Sequence, residues 1–455
     1  MKLTIVGGGG FRVPQVFEAV GDPAAPVRID EVALYDVDAD RLGVMARVVG
    51  QMADSLGRPP RLTVTTDLDE ALRGAAFVFA AVRVGGTSSR IVDERTALEL
   101  GVLGQETIGP GGLAYALRTV PFMVGLARRI AAVAPDAWVI NFTNPAGMVT
   151  EAMRGVLGDR VVGICDTPIG LMRRAARSIA RLGGDTGGGT APGPGSFDYV
   201  GLNHLGWLRS VLVDGVDRLP DLLADDAVLG GIEEARLMGL DWVRALGALP
   251  NEYLYYYYFT REATQRIAAS DATRGEFLRD QQASFYRDAG AEGADALAVW
   301  HRYHHEREAT YMAESRPEGE EGERQAEDVQ GGYHTVALDL MAAITTDRAA
   351  TMILNVRNGD LVPQLPADAV VEVGCVADAR GVHPWPVAPV EGHMAGLMMQ
   401  TKAAEQLAIA AALEGSAELA WKAFGLHPLV DSVAVGRTLL ERYTQAFPEL
   451  GRTLA

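Results

Sequence analysis

The chain has 455 residues, 48% of them hydrophobic, and carries 41 Lys and Arg against 59 Asp and Glu for a net charge of −18. That length and apolar content exclude a disordered or collagen-like chain and suit two or three packed domains of about 150 residues each. The charge excludes broad contact with nucleic acid or an anionic membrane, which need basic surface, but it leaves room for a few arginines around a small anion.

The predicted elements open with alternating strands and helices, as a parallel sheet covered by helices requires. A strand over 3–6 runs into Gly7-Gly8-Gly9-Gly10, and a helix follows over 14–20. Such a turn lets backbone N–H groups face a pyrophosphate at the positive end of the helix dipole. The pattern G-x-G-x-x-G is met at Gly7 and Gly9, while Arg12 takes the third place. A second strand over 31–35 ends at Asp36, an acid suited to ribose hydroxyls and repellent to a 2′-phosphate, which favours NAD+ over NADP. The alternative is an ordinary glycine turn with an Asp that caps a helix.

Next come a helix over 41–56, a strand over 61–65, an apolar run over 76–82, a helix over 115–134 and a strand over 138–141. Asn141-Phe142-Thr143-Asn144-Pro145 then turns sharply at the proline. There Asn144 either orients a sugar hydroxyl or nicotinamide, or holds the loop as an Asx-turn. A buried strand over 161–165 ends at the carboxyl edge of the sheet, where open α/β sheets take their ligands.

Residues 183–196 hold seven Gly and two Pro and read as a flexible loop. A strand resumes over 198–203. The remainder is mostly helical, with helices over 232–246, 275–290, 332–346 and 390–414, and the acidic run 317–328 reads as a solvated loop. Cys375, in VEVGCV, reads as buried strand without chemistry. His301, His304 and His305 read as a solvated helical face rather than as metal ligands.

Cys165-Asp166-Thr167-Pro168 follows one buried strand, and Asn203-His204 follows another. A thiolate and an imidazole from neighbouring strand ends can chelate a divalent transition metal and leave positions open for substrate oxygens. Read in isolation, a lone Cys at a strand end is core and a lone His is a hydrogen-bonded structural residue. The run 252–259 (EYLYYYYF) is unusual in a chain with 7% aromatic residues, and most of it must be packing. A phenol beside a metal and a cationic nicotinamide can have its pKa drawn down from ~10 far enough to act as a base. Two cysteines, no leader-like start and no apolar run of ~18 residues point to a soluble protein of a reducing cytoplasm.

GGGG with Pro14, ALYDVD, AVRVGG with Arg90, GQETIGPGG, NFTNP, GICDTP and GLNHLGW, in this order, resemble glycoside hydrolase family four over residues 1 to about 280. The resemblance implies an α/β fold like that of lactate and malate dehydrogenases. Residues 1–165 would form an N-terminal Rossmann-like, doubly wound sheet that binds NAD+. Residues 166–455 would form a mixed α+β, largely helical domain for substrate, metal and oligomerisation. It also implies Mn2+ or another divalent transition metal on Cys165 and His204, and cofactor contacts from Gly7, Gly8, Gly9, Phe11, Arg12, Asp36, Val82 and Asn141.

The implied reaction is hydrolysis outside the usual two-carboxylate scheme. NAD+ oxidises the glycone at C3, Tyr253 removes the acidified C2 proton, the aglycone leaves by elimination with Asp166 as its acid, water adds, and C3 is reduced again. Asp166 followed by Pro168 matches the 6-phospho enzymes of the family, with Arg90, Asn144, Asp166 and Arg274 at the phosphorylated sugar. Gly10-Phe11-Arg12 departs from the hydroxyl residues of many members, so Arg12 either replaces them as a cation or caps the helix.

The expected substrate is a small phosphorylated disaccharide or aryl glycoside, β-linked in preference to α. The expected assembly is a cytoplasmic homodimer or homotetramer with no nucleic-acid or membrane partner. The rivals are a family glycosidase for unphosphorylated or α-linked substrates, a sugar-phosphate sensor without turnover, and an NAD-dependent 2-hydroxy acid dehydrogenase, which would have no use for Cys165 and His204.

Overall fold

The structure is a computed structural model that describes residues 1–182, 193–310 and 332–454. Its first half is a parallel sheet of β1 (Lys2–Val6), β2 (Glu31–Tyr35), β3 (Arg61–Thr65), β4 (Phe77–Ala80), β5 (Trp138–Asn141) and β6 (Val161–Gly163), in the spatial order 3-2-1-4-5-6. Leu3 and Ile5 of β1 pack with the helices Val13–Gly21 and Ala39–Ser55. Val6 points the other way and packs with the helices Gly109–Val133 and Ala146–Leu157. The period of two along the strand thus feeds two helical layers, so the sheet is covered on both faces.

The later strands are β7 (Phe197–Leu202), β8 (Leu205–Val213), β9 (Val216–Asp217), β10 (Leu249–Pro250), β11 (Ala350–Arg357), β12 (Val370–Asp378) and β13 (Gly381–Pro384). They extend the same sheet. β11 joins β6 antiparallel at the pair Asn355 and Gly163, and β12, β7, β8 and β10 follow outward. Helices cover the rest, so a Rossmann-like sheet is combined with a mixed, largely helical C-terminal half.

Several expected elements differ in extent. The helix expected over 232–246 is two helices, Glu233–Met238 and Leu240–Leu246, broken where Gly239 takes φ +84°. The helix expected from 115 begins at Gly109, with Pro110 in its first turn where a missing N–H costs nothing. The strand expected to reach 165 stops at Gly163, which leaves Cys165 in the following turn. Beyond the helix Gly392–Glu414 the chain continues as helices Ala417–Leu426, Val433–Ala446 and Pro448–Thr453, the first two capped by Ser416 and Ser432. Cys375 is buried in β12. The acidic run 317–328 and residues 183–192 of the glycine-rich loop lie outside the described residues. Among the described residues, no helix is long and apolar enough to cross a membrane.

Candidate functional site

The glycine turn sits at the carboxyl end of β1, held between its neighbours. Gly7 has φ +97°, and a Cβ there would lie 2.4 Å from the carbonyl oxygen of Ala81, so no other residue fits. Asp36 secures the turn from β2, its Oδ2 accepting the Gly9 N–H at 2.9 Å and its Oδ1 the Asp38 N–H at 3.1 Å. Tyr286 donates its hydroxyl to the Gly9 carbonyl at 2.6 Å and accepts from Arg41 at 2.9 Å. From Asp36 and Arg41 a single cavity of about 600 Å³ runs past the glycine turn and Val82 to Cys165, Asp166, His204 and Tyr253. An elongated cleft of this size accepts a dinucleotide with a small second ligand.

GQETIGPGG supplies one wall. A Cβ on Gly111 would meet the Gln105 carbonyl oxygen at 2.2 Å, so the glycine lets the 105–107 turn press onto the start of its helix. That turn carries Glu106 into the cleft between two guanidinium groups. Arg90 Nη1 bonds Glu106 Oε1 at 2.6 Å, and Arg83 pairs with the other oxygen. Burial opposes the charge on Glu106, but Arg83 and Arg90 outweigh it and hold the carboxyl below its usual range. Arg90 also pairs with Glu94 at 2.7 Å, so its fork is engaged by two carboxylates.

Cys165 lies just beyond β6 and is 6% exposed. Its thiol is pushed well above the usual range, first by burial and then by the charges of Glu372 and Asp166. His204 forms the turn between β7 and β8 with φ +65°, a left-handed conformation uncommon for a non-glycine residue. Burial lowers its imidazole pKa to about 4, so the ring is neutral at pH 7, and its Nδ1 has no hydrogen-bond partner among the described residues. A neutral imidazole with an orphaned nitrogen and a thiol that needs a cation to ionise fit a two-residue site for a divalent transition metal. Among the described residues no three His, Cys, Asp or Glu converge to hold a metal ion.

Behind this pair Glu372 of β12 is fully buried. It accepts hydrogen bonds from Asn203 at 3.2 Å, Asn355 at 2.9 Å and Tyr199 at 3.1 Å, and burial pushes its pKa up to about 7. Asn203 adjoins His204, so this network fixes the turn that aims the imidazole. Tyr253 stands in the 3-10 turn Glu252–Leu254, where its own N–H donates to Asn251 Oδ1 at 3.0 Å. Its ring stacks on His204 with centroids 3.8 Å apart. The rest of the aromatic run packs: Tyr255 and Tyr256 are buried, and Tyr258 accepts from Trp207 at 2.8 Å.

The cavity brings together Gly7, Phe11, Arg12, Asp36, Val82, Arg90, Asn144, Cys165, Asp166, His204, Tyr253 and Arg274. Gly8 and Gly9 stand behind the lining, where a Cβ on Gly8 would strike Tyr35 N at 2.8 Å. Asn141 corrects an expectation. It is fully enclosed, and its amide donates to Thr143 O at 3.2 Å, Ala146 O at 3.3 Å and Thr150 Oγ1 at 3.1 Å, so it braces the loop instead of facing a cofactor. Asn144 makes the Asx-turn, its Oδ1 accepting the Ala146 N–H at 3.3 Å, and it also lines the cleft. Arg12 makes no side-chain cap and lies 5.4 and 5.2 Å from the rings of Phe142 and Tyr333. His301 and His305 are exposed as expected, but His304 turns inward and stacks on Trp300 at 4.8 Å. Arg83, Glu106, Arg307 and Glu372 were not singled out by sequence. Only the i, i+4 spacing of Arg90 and Glu94 signalled any of this pairing.

Family profiles described as Family 4 glycosyl hydrolase and Family 4 glycosyl hydrolase C-terminal domain match residues 2–180 and 199–430. A 6-phospho-beta-glucosidase of Escherichia coli (strain K12) is 31% identical over 95% of this chain and 92% of its own length. The 6-phospho-beta glucosidase of Thermotoga maritima, solved with manganese, NAD+ and glucose-6-phosphate, superposes with a TM-score of 0.79 at 26% identity over 99% of both chains. A 6-phospho-alpha-glucosidase from gut microorganisms, solved with NAD and glucose-6-phosphate, gives a TM-score of 0.80 at 26% identity over 99% of this chain and 98% of that one.

Proposed function

The chain belongs to family 4 of the glycosyl hydrolases, and from that premise we propose that it hydrolyses 6-phospho-glycosides, β-glucosides foremost, with NAD+ and a divalent metal. The observation that carries the reading is the single cleft shared by the glycine turn, the Cys165 and His204 pair, Tyr253 and a group of arginines. NAD+ at the glycine turn would supply reversible hydride acceptance at C3 of the glycone, and Mn2+ on Cys165 and His204 would polarise the sugar oxygens.

The protein's own groups do the rest. Asp36 accepts the ribose hydroxyls, and Gly7, Phe11, Arg12 and Val82 line the cofactor's path. Tyr253, stacked on a metal ligand, takes the C2 proton as base. Asp166 gives its proton to the departing glycosidic oxygen, and water replaces the aglycone at C1. Asn144, Arg90 and Arg274 surround the glycone. The net change is hydrolysis without redox.

Exposed Met399, Leu413, Leu426 and Val433 on the last helices support a homodimer or homotetramer. A free thiol at Cys165 suits a reducing cytoplasm.

The test is hydrolysis of chromogenic α- and β-glucoside 6-phosphates and their unphosphorylated parents, each with and without NAD+ and Mn2+. Cleavage is expected only with both cofactors and chiefly of the β-linked phosphate ester. Turnover that survives removal of both would sink the redox route, and equal rates on the unphosphorylated parents would sink the phosphate requirement.

A further inference from the structure

Arg12, Arg90, Arg274 and Arg307 all line the cleft. Their surroundings differ. Arg90 is held by Glu94 and Glu106, so its charge is already met. Arg274 donates to the carbonyl of Thr310 at 3.0 Å and of Arg307 at 3.3 Å, closing the C-terminal end of the helix Ala296–Ala309. Arg307, half-buried on that helix, forms no ion pair among the described residues, and its guanidinium lies 5.2 Å over the Phe11 ring. The two carboxylates that act on it most directly are Glu308 beside it and Glu106, which Arg83 and Arg90 already clasp.

Burial and the like charges of Arg12, Arg274 and Arg90 lower the pKa of Arg307 to about 9. A partly desolvated guanidinium without an ion pair is unfavourable until an anion reaches it, and guanidinium forks suit phosphoryl oxygens. Arg307 stands over Phe11 on the turn that follows the glycines.

We infer that Arg307 holds the 6-phosphate of the substrate, and that Arg90 serves to position Glu106. This rests on the 6-phospho-glycoside reading above. Arg307 is then the specificity-determining residue, set on the Phe11 ring so that the fork is oriented before the anion arrives.

The experiment compares wild type, Arg307→Gln and Arg307→Lys on 4-nitrophenyl β-glucoside 6-phosphate and its unphosphorylated parent, with NAD+ affinity measured by fluorescence. In Arg307→Gln the preference for the phosphorylated substrate should fall by about 100-fold, through KM rather than kcat, with NAD+ affinity within about twofold of wild type. Arg307→Lys should retain part of the preference, because a point charge replaces the fork. Unchanged preference in both variants, with wild type still selecting the phosphate, would overturn this assignment and leave the 6-phospho reading standing. A loss confined to NAD+ affinity would assign Arg307 to the cofactor pyrophosphate and also overturn it. Wild type with no preference for the phosphate would overturn the 6-phospho reading itself.

Discussion

The rings of His204 and Tyr253 lie face to face, with centroids 3.8 Å apart and planes 11° from parallel. The proposed base and metal ligand therefore share one packing contact but two separable functions. Tyr253→Phe keeps the stack and removes the hydroxyl, so kcat should drop by about 10²- to 10⁴-fold while Mn2+ affinity is kept. Tyr253→Ala should lose both. Solvent exchange of a deuterium placed at C2 checks the role directly, since exchange that persists at the wild-type rate in Tyr253→Phe would exclude the phenol as the C2 base.

Removing either proposed metal ligand should have the same consequence. Cys165→Ser and His204→Ala should each abolish saturable Mn2+ binding and lower turnover by at least about 100-fold. Paramagnetic resonance of titrated Mn2+ gives the binding readout. An effect from only one of the two substitutions would mean that they do not form a shared site.

Glu372 accepts hydrogen bonds from Tyr199, Asn203 and Asn355 while fully buried. Glu372→Gln keeps the volume but brings donor hydrogens toward groups that already donate. Stability should fall by about 1–3 kcal/mol, and Mn2+ affinity should weaken by about 10-fold or more as the His204 turn loosens. Urea unfolding and Mn2+ titration would measure the two effects separately. Unaltered metal affinity would show that the network supports the sheet alone.

His427 gives the pH prediction. It is 3% exposed, its Nδ1 accepts the Leu429 N–H at 3.1 Å, and burial lowers its pKa from 6.5 to about 3. The folded state holds this ring neutral and the unfolded chain does not. Its contribution is therefore fully present above pH 6.5 and declines as pH falls from there toward 3, by up to about 1.4 kcal/mol per pH unit. The urea midpoint should drop between pH 7.5 and 5, and His427→Gln should flatten that drop. An equally steep drop in the variant would remove His427 from the account.

The alternation of strands and helices up to β6 was legible from local patterns, whereas the gathering of Cys165, His204, Tyr253 and Asp36 around one cleft was legible only through the ordered motifs of the family resemblance. Each is a short polar stretch directly after a buried strand or in a tight turn. What escaped depends on partners distant in sequence. Arg90 could be located but not its neutralisation by Glu106, and Asn141, expected at the cofactor, has its amide taken up by the loop that folds over it. Arg307 was hidden in a helix whose histidines suggest solvent, since only the packing of Trp300 and His304 turns that face toward Phe11. Strands β8 and β11 were missed in a stretch read as mostly helical, because their pairing lies with strands far along the chain.

The join between β6 and β11 also bears on how the protein is made. Gly163 must wait for Asn355 to be synthesised before that edge of the parallel half is closed. Until then a newly made chain exposes an unpaired strand edge beside Cys165, a ready template for association with other chains. The cofactor-binding half is thus poorly suited to life as a separate fragment, and the strand that closes its edge also carries Asn355, which donates to Glu372 behind the His204 turn.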